Sequence, residues 1–274
     1  MSRDPYIALV GRIVRVVEAL RDEPAGQTLR ELASRTGYVP SSVHRLLHSL
    51  MRHGYVQQDR VGGPYRLGVG FLTFARVMNA PTSMVQLARP YLRELLTTFN
   101  ESAYLAVLRG DRGTFVEVQE TTRDLRLVGP IGADVHYHAT AAGKAMAAHF
   151  VSEQRDALAA QIDLKRITAK TITSRARLLR EWAQIRKSGF AVNDEETIVG
   201  AVFLASPVFD AQGRVCGSIS VGVPKPRCSA SVRRAIAARL KDVSSRLSGE
   251  LASVGYVHEP AREGVRVEFA RLAG

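Results

Sequence analysis

Four groupings in this 274-residue chain have the residue types and spacing to do chemistry. His136 and His138 lie two apart, so on a strand both rings would face one side, as a metal site requires, and Asp194, Glu195 and Glu196 would add oxygens. Cys216 and Cys228 are the only thiols, and they form neither a disulfide framework nor a Cys-x-x-Cys knuckle. Cys216 sits in an apolar, strand-like run and Cys228, beside Pro226 and Arg227, has no evident base, so a cysteine nucleophile is poorly supported. Gly143-Lys144 has the look of a phosphate loop but lacks the upstream Gly at the required spacing and the following Ser or Thr. No Gly-x-Ser-x-Gly elbow occurs, although a dispersed Ser-His-Asp arrangement stays open, since sensor-like α+β domains host catalysis. The fourth grouping is Ser41, Ser42, His44 and Arg45, followed by Arg52, Arg60 and Arg66. Small polar side chains with arginines reaching past them suit base edges and phosphates in a DNA groove.

The elements that must position these arginines are legible from periodicity. Ile7, Val10, Ile13, Val16, Val17 and Leu20 recur every three or four residues and predict a helix with one buried face, ended by Pro24-Ala-Gly26. Residues 29–36 and 40–53 read as two short amphipathic helices separated by Gly37-Tyr-Val39, with Gly37 as a left-handed cap and Pro40 at the first helical position. Val43, Leu46, Leu47 and Leu50 form the buried stripe of the second, which turns Ser41, Ser42, His44, Arg45 and Arg52 outwards. Residues 55–59 and 65–67 flank Gly62-Gly-Pro64 and predict a β-hairpin with Arg60 and Arg66 beside its tip, where a winged helix carries its wing.

Beyond it, 68–79 reads as a connecting helix and 83–99 as another, bent at Pro90. Strands are predicted at 103–109, 114–119, 135–138, 201–209 and 215–223, and helices at 141–150, 152–161, 174–188 and 229–251. Hairpins with helices gathered on faces and ends point to an α+β domain rather than a parallel doubly wound sheet. The expected division is 1–67, a winged helix-turn-helix domain; 68–82, a linker helix; 83–251, a sensor domain; and 252–274, a tail.

Composition agrees with this reading. Apolar residues at 46% with 23% charged are globular proportions, and 274 residues allow two cores. The net charge of +12 favours a polyanionic partner. It is denser at the front: residues 1–80 hold eleven Arg against six acids, and no Lys precedes Lys144. Arg3, Asp4 and the spaced apolar residues after them predict neither a signal peptide nor a membrane span, and two separate cysteines fit a reducing cytoplasm.

The order of short motifs resembles the IclR family of bacterial transcription regulators from about Gly11 to Leu251. The front carries Leu32-Ala33, Gly37, Val43-His-Arg-Leu-Leu47, Gly54-Tyr-Val56 and Tyr65-Arg-Leu-Gly68. The back carries His138-Ala-Thr140, Gly143-Lys-Ala145, Thr171-Ile-Thr173, Gly189-Phe-Ala-Val-Asn-Asp-Glu-Glu196, Gly200, Ala205, Pro207-Val-Phe-Asp210 and Ile219-Ser220. The resemblance implies a winged helix-turn-helix, a linker helix and a C-terminal GAF-like mixed α/β domain that binds a small-molecule effector. It further implies a homodimer or dimer of dimers on a palindromic double-stranded DNA operator, with no enzymatic activity, cofactor or metal. Where the family often has Lys, this chain has Pro40.

The resemblance places the effector against backbone amides at Ala141 and Ala142 and side chains at Asn193, Phe203, Ser220 and Gly222. Free N–H groups at a helix start do favour a carboxylate. Three of these positions depart from the small-acid-binding pattern: Asn193 replaces Asp, Phe203 a small residue, and Gly222 a Ser. The expected effector is therefore an organic acid larger or more apolar than glyoxylate or pyruvate, an aromatic acid being one such. The readings set against this are a small-molecule-binding enzyme and a DNA-binding regulator without a ligand.

Overall fold

The computed structural model describes residues 7–60, 62–72, 74, 84–110, 112–129 and 131–258. They fall into two compact units, 7–74 and 84–258. None of the described helices is long and apolar enough to cross a membrane.

In the first unit, α1 (Ala8–Arg21), α2 (Leu29–Thr36) and α3 (Pro40–Arg52) precede the hairpin of β1 (Val56–Gln58) and β2 (Tyr65–Leu67). Thr28 and Glu31 form a reciprocal capping box that starts α2, Gly37 ends it at φ 73°, and Pro40 opens α3. Gln27 forms a single antiparallel bridge to Tyr65 on the wing. Val16, Leu20, Leu32, Val43, Leu47, Val56 and Tyr65 make one core. The buried face predicted for α1 holds only over its second half: Ile7 and Val10 are 64% and 53% exposed, because the first turns run past this small core. Glu18, a charged residue on the same helix, is buried. Of the linker helix predicted for 68–82, residues 70–72 and 74 are helical, and 75–82 lie outside the described residues.

The second unit is built on one antiparallel sheet of order β4-β3-β7-β6-β5, comprising β3 (Ala103–Arg109), β4 (Arg112–Gln119), β5 (Ala191–Asp194), β6 (Ala201–Phe209) and β7 (Val215–Pro224). One face carries α4 (Met84–Phe99, with Pro90 inside it) and the long α8 (Ala230–Ser253). Leu92, Leu95, Ile236, Leu240 and Leu247 pack there against Leu105, Val107 and Ile219. The opposite face carries α5 (Ala141–Ala147), α6 (Ser152–Gln161) and α7 (Arg175–Ser188), with Met146, Leu178 and Trp182 against Ala106, Leu108 and Ala205. Alternate residues of β3 thus serve two cores, as a strand's two-residue period requires.

Two expectations are corrected. Residues 135–138 are not a strand: only Asp134 bridges, to Thr114, and the chain then turns because the His136 carbonyl accepts from Ala139 N and Thr140 N. Strand β5, buried at alternate residues, was not anticipated within the 189–196 motif. Of the tail expected from 252, Ala252 and Ser253 continue α8. Residues 256–258 dock on the β6–β7 turn, with Ala211 N donating to Tyr256 O and His258 N to Asp210. Residues 259–274 lie outside the described residues.

Candidate functional site

On the first unit, the exposed surface of α3 presents Ser41, His44, Arg45 and Arg52, with Ser42 half-buried beside them. The His44 and His48 rings lie 6.4 Å apart on this surface. Arg60 is exposed beside the wing turn. Arg66 is committed within its own domain, donating to Asp59 at 2.5 Å and to the Ala25 carbonyl at 2.9 Å, so it braces the wing. Arg12 and Arg15 each hold a guanidinium 5.7 Å from the Tyr38 ring, which ties α1 to the turn before α3.

In the second unit a cavity of about 290 Å³ opens between the sheet and the start of α5. Register explains why residues far apart in sequence meet here. Asn193 pairs with Phe203, and Phe203 with Gly222, forming one rung across β5, β6 and β7. Ser220 pairs with Tyr104 on β3, two residues along. Paired residues project to the same side, so these rungs floor the cavity. Ala141 and Ala142, from α5, line it from above. Thr140 caps that helix: its Oγ1 accepts from Gly143 N at 3.0 Å and donates to His136 O at 2.9 Å. The Ala141 and Ala142 N–H groups have no partner among the described residues, as expected in a first helical turn.

Ala141, Ala142, Asn193, Phe203 and Ser220 all line this cavity. Gly222 acts at one remove. A Cβ there would sit 2.6 Å from Phe203 Cε1, so the aromatic ring occupies the space that a serine would need. Of the three departures from the small-acid pattern, those at Phe203 and Gly222 are therefore one coupled change. Asn193 is spoken for structurally: its Oδ1 accepts from Glu196 N and its Nδ2 donates to Thr197 Oγ1, both at 2.7 Å. It shapes the 193–197 turn, in which Glu195 adopts a left-handed φ of 64°.

Sequence reasoning missed Tyr104 and Phe115, whose rings complete an aromatic wall. Tyr104 meets Phe115 edge-on at 6.4 Å and Phe203 at 6.1 Å. Its hydroxyl donates to the Leu127 carbonyl at 2.5 Å, and burial pushes its ionisation up to about 12. Alternation along β3 would have assigned Tyr104 a face, but only the β3–β7 register sets it beside Ser220.

The other chemical groupings are structurally occupied. His138 Nε2 meets the Lys165 carbonyl at 3.0 Å, and burial holds its imidazole below the usual range. Asp194 pairs with Lys225 and Arg233, Glu195 with Lys170, and Glu196 with Lys144. Among the described residues no three His, Cys, Asp or Glu side chains gather as a metal site would need. Lys144, far from any phosphate cradle, is fully buried between Glu181 and Glu196. Burial pushes the Cys216 thiol up to about 12, which makes it a poor nucleophile.

Comparison with known proteins agrees with this two-part arrangement. Residues 79–249 match the family model for the bacterial transcriptional regulator IclR C-terminal region, and residues 9–60 match the IclR helix-turn-helix domain. The chain is 33% identical over 205 residues to the HTH-type transcriptional regulator BhcR of Paracoccus denitrificans, spanning 75% of this chain and 74% of that protein. It is 28% identical over 218 residues to the transcriptional repressor IclR of Escherichia coli, spanning 79% and 80%. Among solved structures, an IclR homolog from Microbacterium hydrocarbonoxydans complexed with 4-hydroxybenzoate superposes with a TM-score of 0.78 at 21% identity, covering 89% of this chain and 99% of that one.

Proposed function

Because the chain belongs to the IclR family of bacterial transcriptional regulators, we propose that its DNA binding is controlled by a small aromatic carboxylic acid held in the cavity beneath α5. It is a regulator with an N-terminal helix-turn-helix and a C-terminal effector domain; the effector and its control of DNA are the proposal. The carrying observation is the pairing of an aromatic wall, Tyr104, Phe115 and Phe203, with the unpartnered amides of Ala141 and Ala142. Apolar rings fit the body of such an acid and free N–H groups fit its carboxylate. A volume of about 290 Å³ suits a single ring. The likeness to a protein complexed with 4-hydroxybenzoate supports the same class of ligand.

Calorimetric titration of the full chain with benzoate, 4-hydroxybenzoate and glyoxylate tests this. Binding of the aromatic acids, with glyoxylate weaker or silent, is expected. Tight glyoxylate binding without any response to aromatic acids would overturn the proposal.

On DNA, α3 enters the major groove, Ser41, Ser42, His44 and Arg45 face base edges, and Arg52 and Arg60 contact phosphates. Two copies, or two pairs, read the halves of a palindromic operator. Effector binding must differ between the DNA-competent and incompetent arrangements, because a ligand indifferent to the two states switches nothing. Arg45→Ala is expected to cost about 1–3 kcal/mol in operator affinity and to relax base preference at one position. Gel shifts on the DNA upstream of the gene, at several salt concentrations, measure both. A loss uniform across sequences places Arg45 on phosphate instead.

A further inference from the structure

We infer that His136 is the cationic partner of the effector's carboxylate and makes effector binding proton-linked. This rests on the reading of the cavity as an aromatic-acid site. Among the described residues no Lys, Arg, Asp or Glu lines the cavity, and the ionisable side chains that do are those of Tyr104 and His136. Tyr104 has its hydroxyl proton committed to the Leu127 carbonyl. His136 differs: its residue is exposed, and its ring nitrogens have no hydrogen-bond partner among the described residues. The backbone holds the residue in place. Its carbonyl accepts from Ala139 N, Thr140 N and Thr140 Oγ1, which fixes His136 at the start of α5, beside the two free amides.

The charged groups on the surrounding elements are otherwise engaged. Lys144 on α5 is paired with Glu181 and Glu196, Glu195 with Lys170, and Asp134 with Arg112. The nearest ring is that of His138, 6.1 Å away; it is bonded to the Lys165 carbonyl and is influenced by Asp163 and Lys144. A carboxylate entering this cavity therefore meets two amide donors and one side chain able to carry a positive charge.

An anion beside an imidazole favours its protonated form. Binding of the anion then favours uptake of a proton by the imidazole, and by reciprocity the affinity falls as pH rises through the range in which imidazoles lose their charge. Titrating the full chain with benzoate and with its neutral isostere benzamide, between about pH 6 and about pH 8, separates charge from shape. Benzoate is expected to weaken roughly tenfold across this range, about what one hydrogen bond to a charged group contributes to affinity. Repeating the titration in buffers of different ionisation enthalpy is expected to show proton uptake. Benzamide is expected to show neither effect. His136→Gln, which keeps a donor but no charge, is expected to bind benzoate weakly with a flat pH profile, while its melting temperature matches the parent's. Benzoate binding that is flat with pH, or unchanged pH dependence in His136→Gln, overturns this inference alone. No binding of benzoate at any pH overturns the aromatic-acid reading, and this inference with it.

Discussion

Replacing Lys144 with Met is expected to destabilise the effector domain by about 3–5 kcal/mol at neutral pH, the usual cost of stripping a buried charge of its partner. The Lys144 side chain is fully buried, and its three N–H bonds go to Glu196 Oε1 at 2.5 Å, the Val192 carbonyl at 2.6 Å and Glu181 Oε1 at 3.3 Å. Glu196 is nearly as deep, with Oε2 buried and without a hydrogen-bond partner among the described residues. Burial raises its carboxyl above the usual carboxylate range, with Lys144 opposing the rise. Without the ammonium, burial and the neighbouring Glu181 push the carboxyl further up with only Arg177 opposing them, and Glu196 takes up a proton on folding.

A group whose folded value lies above its unfolded one supports the fold below the unfolded value and loses that support as pH climbs through the folded one. The deficit of Lys144→Met is therefore expected to be smallest below pH ~4.3, the ordinary value of a glutamate, and to grow toward neutrality. Urea denaturation at several pH values measures it. Lys144→Met combined with Glu196→Gln is expected to recover part of the loss, since removing both charges costs less than orphaning one. A deficit that stays the same across pH would show that packing, not charge, supports this site. The consequence reaches the cavity, because Lys144 ties α5, whose first turn supplies the free amides, to the turn that Asn193 shapes.

Leu47→Ala is expected to cost about 2–5 kcal/mol in the winged helix, the range for emptying a fully buried leucine position. Leu47 is 0% exposed and packs with Leu20, Leu32 and Val56. A core this small holds a reserve of roughly 3–5 kcal/mol, so the loss consumes most of it. Operator binding is expected to vanish at growth temperature, while calorimetric binding of the effector survives in the other unit. Arg45→Ala, two residues earlier on the exposed surface of α3, is expected to leave the melting curve alone and weaken only DNA binding. A Leu47→Ala variant that melts and binds DNA like the parent would remove the premise that this stripe holds the helix in place.

Much of this was legible in order along the chain. The stripe at Val43 and Leu47, the cap at Gly37 and the glycine turn at 62–63 are local signals, each set by backbone geometry or by a period of 3.6. They sufficed for the winged helix. What failed locally did so for tertiary reasons. The apolar period of α1 predicts a buried face along its whole length, but periodicity carries no information on how far a core extends, and Ile7 and Val10 lie beyond it. The alternation at 135–138 reads as a strand, yet the His136 carbonyl is captured by the start of α5. Strand β5 hides in a polar motif because its partner β6, not its own composition, makes it a strand.

The candidate cavity divides in the same way. Its positions at Ala141, Ala142, Asn193, Phe203 and Ser220 came from family likeness, and periodicity alone would not have gathered them. By itself, the sequence determined the types of element, the arginine-bearing surface and the substitution of Phe203 and Gly222 for smaller and hydroxylated residues, because these depend on near neighbours and residue chemistry. Only the tertiary structure decided that Gly222 makes room for the Phe203 ring, that Tyr104 and Phe115 join the wall, and that His136 stands beside two free amides. The first two rest on strand register, which brings residues tens of positions apart to within a few ångströms and is fixed by the packing of both sheet faces at once; the third rests on the turn in which the His136 carbonyl accepts from Ala139 N, Thr140 N and Thr140 Oγ1.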